Sequence, residues 1–254
     1  MQLKLPFLAL CLGLATVISA QDGGTYYGIK GGLTIGTQQW NTFDRDPLIG
    51  YHTILTVESL PVEDKFSLFA QVGYHLKGSA IRRSLFGNPF NANLVSFPPQ
   101  KFEFHNISLS VGAKQVFGEV NKSKLYYLFG IRGDYTMGTN LDEYEIFVER
   151  NPNFAGIYPL NIYYSGETLL GVRRLNYGFL AGGGITLPFS EFVEGLLEFT
   201  VNPDFSLQYE QPSIPNVVDP FSGQTRSIPE RKIRNLTFEI TVGFRFLKKV
   251  EYID

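Results

Sequence analysis

Cysteine is almost absent from this 254-residue sequence: there is one, Cys11. It sits in the middle of an apolar N-terminal run, not at its end, which argues against a lipid-anchored cysteine. Without cysteine, residues 21–254 can form no disulfide and no thiolate metal centre. No run of 18 apolar residues follows residue 20, so no helix there can cross a membrane. Apolar residues at helical spacing are missing too. The net charge is only −2, which implies no polyanionic partner such as nucleic acid. Spacing reveals no metal-ligand cluster. The glycines of Gly28–Gly36 and Gly182–Gly184 lie in strand-like segments, not in a strand-to-helix turn, so they form no phosphate loop. No cofactor is expected.

What is present begins with Met1-Gln2-Leu3-Lys4, an apolar run Leu5–Ile18, and Ser19-Ala20-Gln21. One positive charge, a short apolar core and small residues at its end predict a secretory signal peptide over residues 1–20, cleaved after Ala20. Residues 21–254 then suit one all-β domain better than two domains.

The clearest pattern lies near the C-terminus, from Ile233 to Phe246. Leu236, Phe238, Ile240, Val242, Phe244 and Phe246 alternate with Asn235, Thr237, Glu239, Thr241, Gly243 and Arg245. A period of two places these sets on opposite faces of one long strand. Seven earlier segments alternate likewise: Tyr27–Gly36, Leu48–Ser59, Phe66–Lys77, Phe104–Phe117, Leu125–Met137, Arg173–Leu187 and Phe192–Val201. The second and fourth alternate less regularly. The connections between them run medium, short, long, short, long, short, long. An outer-membrane barrel with both termini periplasmic has short periplasmic turns and longer external loops. The predicted fold is therefore all-β: an eight-stranded antiparallel up-and-down transmembrane β-barrel with short periplasmic turns and long external loops.

Alternation alone leaves a soluble lipocalin-like ligand-binding barrel as an alternative, with its apolar face inward. Three features favour the membrane. Glycines crowd the polar face, at Gly28, Gly32, Gly73, Gly112, Gly130, Gly178, Gly182 and Gly184, and an eight-stranded barrel has a narrow interior. Tyr and Phe recur near strand ends on the apolar face, as an interfacial girdle does. The loop alternation fits a membrane with two unlike sides. The polar face then lines a lumen with Lys30, Lys77, Lys114, Arg132, Arg174 and Arg245 against Glu58, Asp134, Glu194, Glu198 and Glu239. Buried charges need partners, so this near-balanced set is expected to pair and plug the barrel.

Chemistry is sparse. His52 and His75 share the lumen parity, where a histidine is more often a network member than a ligand. His105 has outward parity, and Ser84 or Ser96 is a conceivable hydrolytic partner. No third member is fixed, so no enzymatic activity is expected.

The first strand Tyr27-Gly28-Ile29-Lys30-Gly31-Gly32-Leu33, the closing Val242-Gly243-Phe244-Arg245-Phe246 and the Ser19-Ala20-Gln21 site resemble outer-membrane β-barrel domain proteins of Bacteroidota, the PorT-like family. The resemblance covers residues 21–254. It implies a Gram-negative outer membrane, and PorT itself is associated with type IX protein secretion. The usual terminal aromatic is here followed by eight residues, Leu247–Asp254. Either Phe244 and Phe246 act internally as the assembly signal, or the tail meets a periplasmic partner. The expected function is a non-enzymatic barrel whose external loops bind or support the envelope, with a secretion accessory as the alternative. Expected partners are outer-membrane lipid, the barrel-assembly machinery and secretion or envelope proteins, with the chain itself a monomer.

Overall fold

The computed structural model describes residues 24–40, 45–62, 65–81, 85–87, 94–96, 100–140, 172–218, 223–228 and 230–249. Residues 1–20, over which a signal peptide is expected, the stretch 141–171 and residues 250–254 lie outside them. Eight long strands form the wall: β1 Gly24–Trp40, β2 Asp46–Ser59, β3 Phe66–Ile81, β4 Gln100–Val120, β5 Ser123–Thr139, β6 Leu175–Pro188, β7 Val193–Pro203 and β8 Arg231–Lys249. Each pairs antiparallel with its sequence neighbour. β1 closes on β8 over the whole of β1, from Gly24↔Lys249 to Trp40↔Ile233. That closure removes the free edges on which an open sheet would aggregate. Among the described residues there is no helix.

The hairpin ends are unlike. At one end β4 turns into β5 through Asn121 and Lys122 alone, both at positive φ (50° and 68°). Two consecutive left-handed residues make the hairpin turn whose twist matches that of the strands. Residues 60–65 and 189–192 close the other two turns at this end, where the strand termini also lie. At the opposite end, 82–99, 140–174 and 204–230 separate the strands. The first loop is the least distinct. Counted between strand ends it is 41–45, no longer than the 60–65 turn. Counted by the β1–β2 ladder, which ends at Gly36↔Leu48, it is the expected 37–47. β1 outruns that ladder because it stays paired with β8. At the loop end Tyr209–Gln211 extends the wall by pairing with β8, and two separate hairpin ladders form, Leu85–Gly87 with Leu94–Ser96 and Ile214–Val218 with Thr225–Ile228.

The strands place apolar side chains outside and polar ones inside. Ile29, Leu33, Leu55, Ile131, Phe179, Phe199, Val242 and Phe244 are exposed. Lys30, Thr34, His52, Glu58, Lys77, Asn106, Lys114, Asp134, Glu198, Thr237 and Glu239 are buried. A soluble barrel would reverse this distribution, so the lipocalin-like packing does not hold. The outward band is the surface that a hydrocarbon solvent requires.

The interior is not uniformly polar. Phe69, Tyr126, Leu128 and Leu180 face inward and pack together. The expectation that large aromatics sit outside therefore needs correction at Phe69 and Tyr126. Glycines on the opposite strands make the room. A Cβ on Gly112 would stand 2.7 Å from the Phe69 ring and 2.3 Å from the Phe129 carbonyl oxygen. One on Gly184 would stand 2.7 Å from the Tyr126 hydroxyl. Extra residues fall in β2 between Pro47 and His52, in β4 between Val116 and Gly118, and in β5 at Met137, where His105 and Asn106 face Gly138 and Thr136. The first two lie in the segments whose alternation is least regular in sequence, since an extra residue shifts the phase of the side chains beyond it.

Candidate functional site

Every barrel strand except β6 sends a charged side chain into the lumen, and these side chains form stacked layers. Near the turn end, Glu58 on β2 receives Arg245 Nη1 at 2.6 Å and Lys114 Nζ at 2.8 Å. Ser67 donates to the same carboxylate at 2.8 Å. Arg245 also reaches Glu194 at 2.5 Å through Nε and lies 4.2 Å over the Tyr26 ring. Lys114 continues to Glu198 at 3.1 Å, and Lys30 joins Glu198 at 2.7 Å. Tyr126 donates to Glu198 at 2.8 Å, so the aromatic patch and the ion network share one carboxylate. This layer ties β1, β2, β4, β7 and β8 across the barrel.

The middle layer is built on histidine. His52 and His75 are cross-strand neighbours on β2 and β3, with rings stacked at 5.4 Å and 12°. His75 Nδ1 meets Glu239 of β8 at 2.7 Å. His52 Nδ1 lies 3.1 Å from Thr34 Oγ1, and its Nε2 lies 2.9 Å from Thr241 Oγ1. The second contact spans β1, where Gly32 is in register with both His52 and Thr241. The absent side chain at Gly32 lets the imidazole reach β8.

Toward the loop end, Asp134 receives Lys77 at 2.5 Å, Arg132 Nε at 3.0 Å and the Ser108 hydroxyl. Arg132 also pairs with Asp204. Above these, neutral amides and hydroxyls close the lumen. Asn235 donates to Asp204 at 3.0 Å and to Gln208 at 2.9 Å, Gln38 donates to Asn235 at 2.9 Å, and Ser79 donates to Gln38 at 2.6 Å. Between the lower layers a cavity of about 10 Å³ touches Lys30, Gln71, Glu198, Thr200, Glu239 and Thr241. It has room for about one water molecule.

Ten of the eleven expected charged residues lie in this network: Lys30, Glu58, Lys77, Lys114, Arg132, Asp134, Glu194, Glu198, Glu239 and Arg245. Arg174 does not. It is exposed, with Nη1 3.3 Å from the Tyr135 hydroxyl on the outside wall. Its inward parity fails because the β6 strand begins one residue later, at Leu175. Asp204 is the member that alternation missed, since it follows the last residue of β7 and is tied back by a bridge to Gly178. Among the described residues the lumen thus holds six permanent cations (Lys30, Lys77, Lys114, Arg132, Arg245 and, at the loop end, Arg45, whose guanidinium lies over the Phe102 ring and donates to Ser79) against six carboxylates (Glu58, Asp134, Glu194, Glu198, Asp204 and Glu239).

His105 lies on the outer wall, its Nδ1 2.5 Å from the Tyr74 hydroxyl. The Ser84 and Ser96 side chains lie outside the described residues. Phe244 and Phe246 point outward near the end of β8, opposite Ile29 and Tyr27.

No protein-family model matches the chain, and no curated protein sequence matches it. Solved structures with a similar chain path include neisserial surface protein A, with a TM-score of 0.47 at 8% identity, covering 87% of this chain and 96% of that one. OprG of Pseudomonas aeruginosa has a TM-score of 0.43 at 10% identity, covering 89% and 97%. Ail, the attachment invasion locus protein of Yersinia pestis, solved with the heparin analogue sucrose octasulfate, has 0.39 at 10% identity, covering 89% and 100%. The barrel assignment rests on the hydrogen-bonded closure of β1 on β8, not on these likenesses.

Proposed function

We propose that this chain is a non-enzymatic outer-membrane barrel, sealed through its centre, whose work is done by the loops and strand extensions at its external end. The observation that carries this reading is the inverted burial. Ion pairs cross the lumen with side chains almost fully buried, while isoleucine, leucine and phenylalanine face outward. In lipid this arrangement satisfies both surfaces. The cavity of about 10 Å³ between the layers has no room for a stream of hydrated solutes. Export by the signal peptide, insertion by the barrel-assembly machinery with Phe244 and Phe246 as its signal, and a monomeric state in outer-membrane lipid belong to the same proposal. Expression followed by membrane fractionation tests it. The protein should pellet with outer membranes and migrate anomalously in detergent gels until heated. Recovery from the soluble periplasm without detergent contradicts it.

A second proposal is the secretion-accessory role implied by the PorT-like resemblance. The two segments that carry the resemblance pair across the seam, from Tyr27↔Phe246 to Gly31↔Val242. Beyond Phe246, β8 runs on as ordered strand to Lys249, with the Leu247 N–H donating to the Phe192 carbonyl at 2.9 Å. The chain thus reaches the turn end in a fixed direction, as a partner-binding tail would. A deletion strain that secretes its cargo normally removes this proposal.

A further inference from the structure

We propose that His52, His75 and Glu239 form a binding site for one divalent transition-metal ion of the zinc type inside the lumen. One ligand atom from each lies within 4.8 Å of the others, and all three residues are buried. Two imidazoles and one carboxylate are a donor set that zinc accepts, with a fourth position left open. Zinc bonds of about 2.0–2.2 Å place tetrahedral ligand atoms roughly 3.4 Å apart, so side-chain rotations of about an ångström complete the site.

The surroundings are those of a ligating set. A ligating histidine is normally oriented through its other ring nitrogen. Thr34 holds His52 Nδ1 and leaves Nε2 directed at Thr241. The second Glu239 oxygen accepts from Thr200 at 3.3 Å. Beside His75, residue 73 is glycine, and a Cβ there would stand 3.0 Å from His75 Nε2. The cavity of about 10 Å³ touches Glu239 and Thr241 and has room for one water, which would supply the fourth ligand.

Glu239 faces both imidazoles and supplies a negative charge for a divalent ion. The competing occupant is a proton on His75, which would pair with the same carboxylate. The metal has a structural consequence that the proton lacks. It joins β2 and β3 to β8 across β1, bracing the seam where the barrel closes.

The test uses the full mature chain, without an affinity tag, folded into detergent in the presence of Zn²⁺ or Co²⁺ because charged layers flank the site on both sides. After dialysis the account predicts one metal per chain, visible d–d bands for the cobalt form, and a higher unfolding temperature than protein folded with chelator. H75A should abolish binding and E239Q should weaken it by more than about tenfold. H105A, which changes the outer-wall histidine, should bind as the wild type does. Folded wild-type protein that retains no metal, with the same unfolding temperature in chelator and in Zn²⁺, overturns the proposal in favour of the proton. Metal retained equally by H75A and E239Q overturns it also.

Discussion

Glu58 and Arg245 are 187 residues apart in the chain and 2.6 Å apart inside the barrel. The same carboxylate receives Lys114, so one acid on β2 fastens β4 and β8 together. β8 is the last strand to be synthesised, and its register on β1 is fixed by this contact as well as by the ladder.

Removing that acid leaves Arg245 with Glu194 alone and Lys114 sharing Glu198 with Lys30, one negative charge too few in a dry interior. Glu58→Ala should lower folding stability by about 3–5 kcal/mol, as breaking one side of a buried ion pair does elsewhere. Glu58→Ala with Arg245→Ala should cost less than the two single changes together, because the second removes a charge that the first has left under-paired. Urea unfolding in lipid vesicles measures both. Additive costs would mean that the two residues act independently.

On the outer wall the prediction concerns solvent, not partners. Ile131 is 59% exposed, at the middle of the apolar band. Ile131→Arg should destabilise the folded state by about 2–4 kcal/mol in a bilayer, the cost of a cation at that depth. A change within about 0.5 kcal/mol, the usual effect of a surface substitution in water, would place this face outside lipid.

Glycine substitutions should separate the two faces. Gly112→Ala forces a methyl against the Phe69 ring and the Phe129 carbonyl, and should cost about 1–3 kcal/mol by overpacking. Gly133 has no atom within 4 Å of the equivalent position, and Gly133→Ala should stay within about 0.5 kcal/mol of wild type. Phe69→Leu should recover part of the Gly112→Ala loss. Equal effects at 112 and 133 would show that glycine is needed there for backbone reasons and not for space.

The tight turn offers a stabilising change. Lys122 sits at φ 68° without the freedom of glycine, a conformation that costs an ordinary residue about 1–2 kcal/mol. Lys122→Gly should therefore stabilise the barrel by about 1 kcal/mol, since Asn-Gly is the preferred pair for this turn. The same unfolding assay reads the gain, and a loss would mean that the Lys122 side chain contributes more than its strain.

The alternation of strands was legible because lipid and lumen demand opposite side chains at every second position. Glu239, between Phe238 and Ile240, and Arg245, between Phe244 and Phe246, could be assigned inward from sequence alone. The inward aromatics were less plain. Tyr126-Tyr127 and Leu128-Phe129 are apolar on both parities, so only the parity of Arg132 and Asp134 further along the strand marks Tyr126 as inward, and a neighbouring glycine makes its room. A strand's end is harder to read. Arg174 precedes β6 and points out against its parity, while Asp204 lies past the last residue of β7 and still points in with the parity of Glu198 and Asn202. Neither could be placed without the fold. The contact of His52 with Thr241 needs the register of three strands and the gap at Gly32, which no spacing along the chain expresses.

The central claim is a membrane barrel with a sealed lumen, and planar-bilayer recording tests it most directly. Protein whose folded state is verified by heat-modifiable migration should incorporate and yield no discrete conductance steps. Reproducible unitary conductance from the wild-type chain would mean that the ion-paired layers part to admit solutes, and would contradict the account.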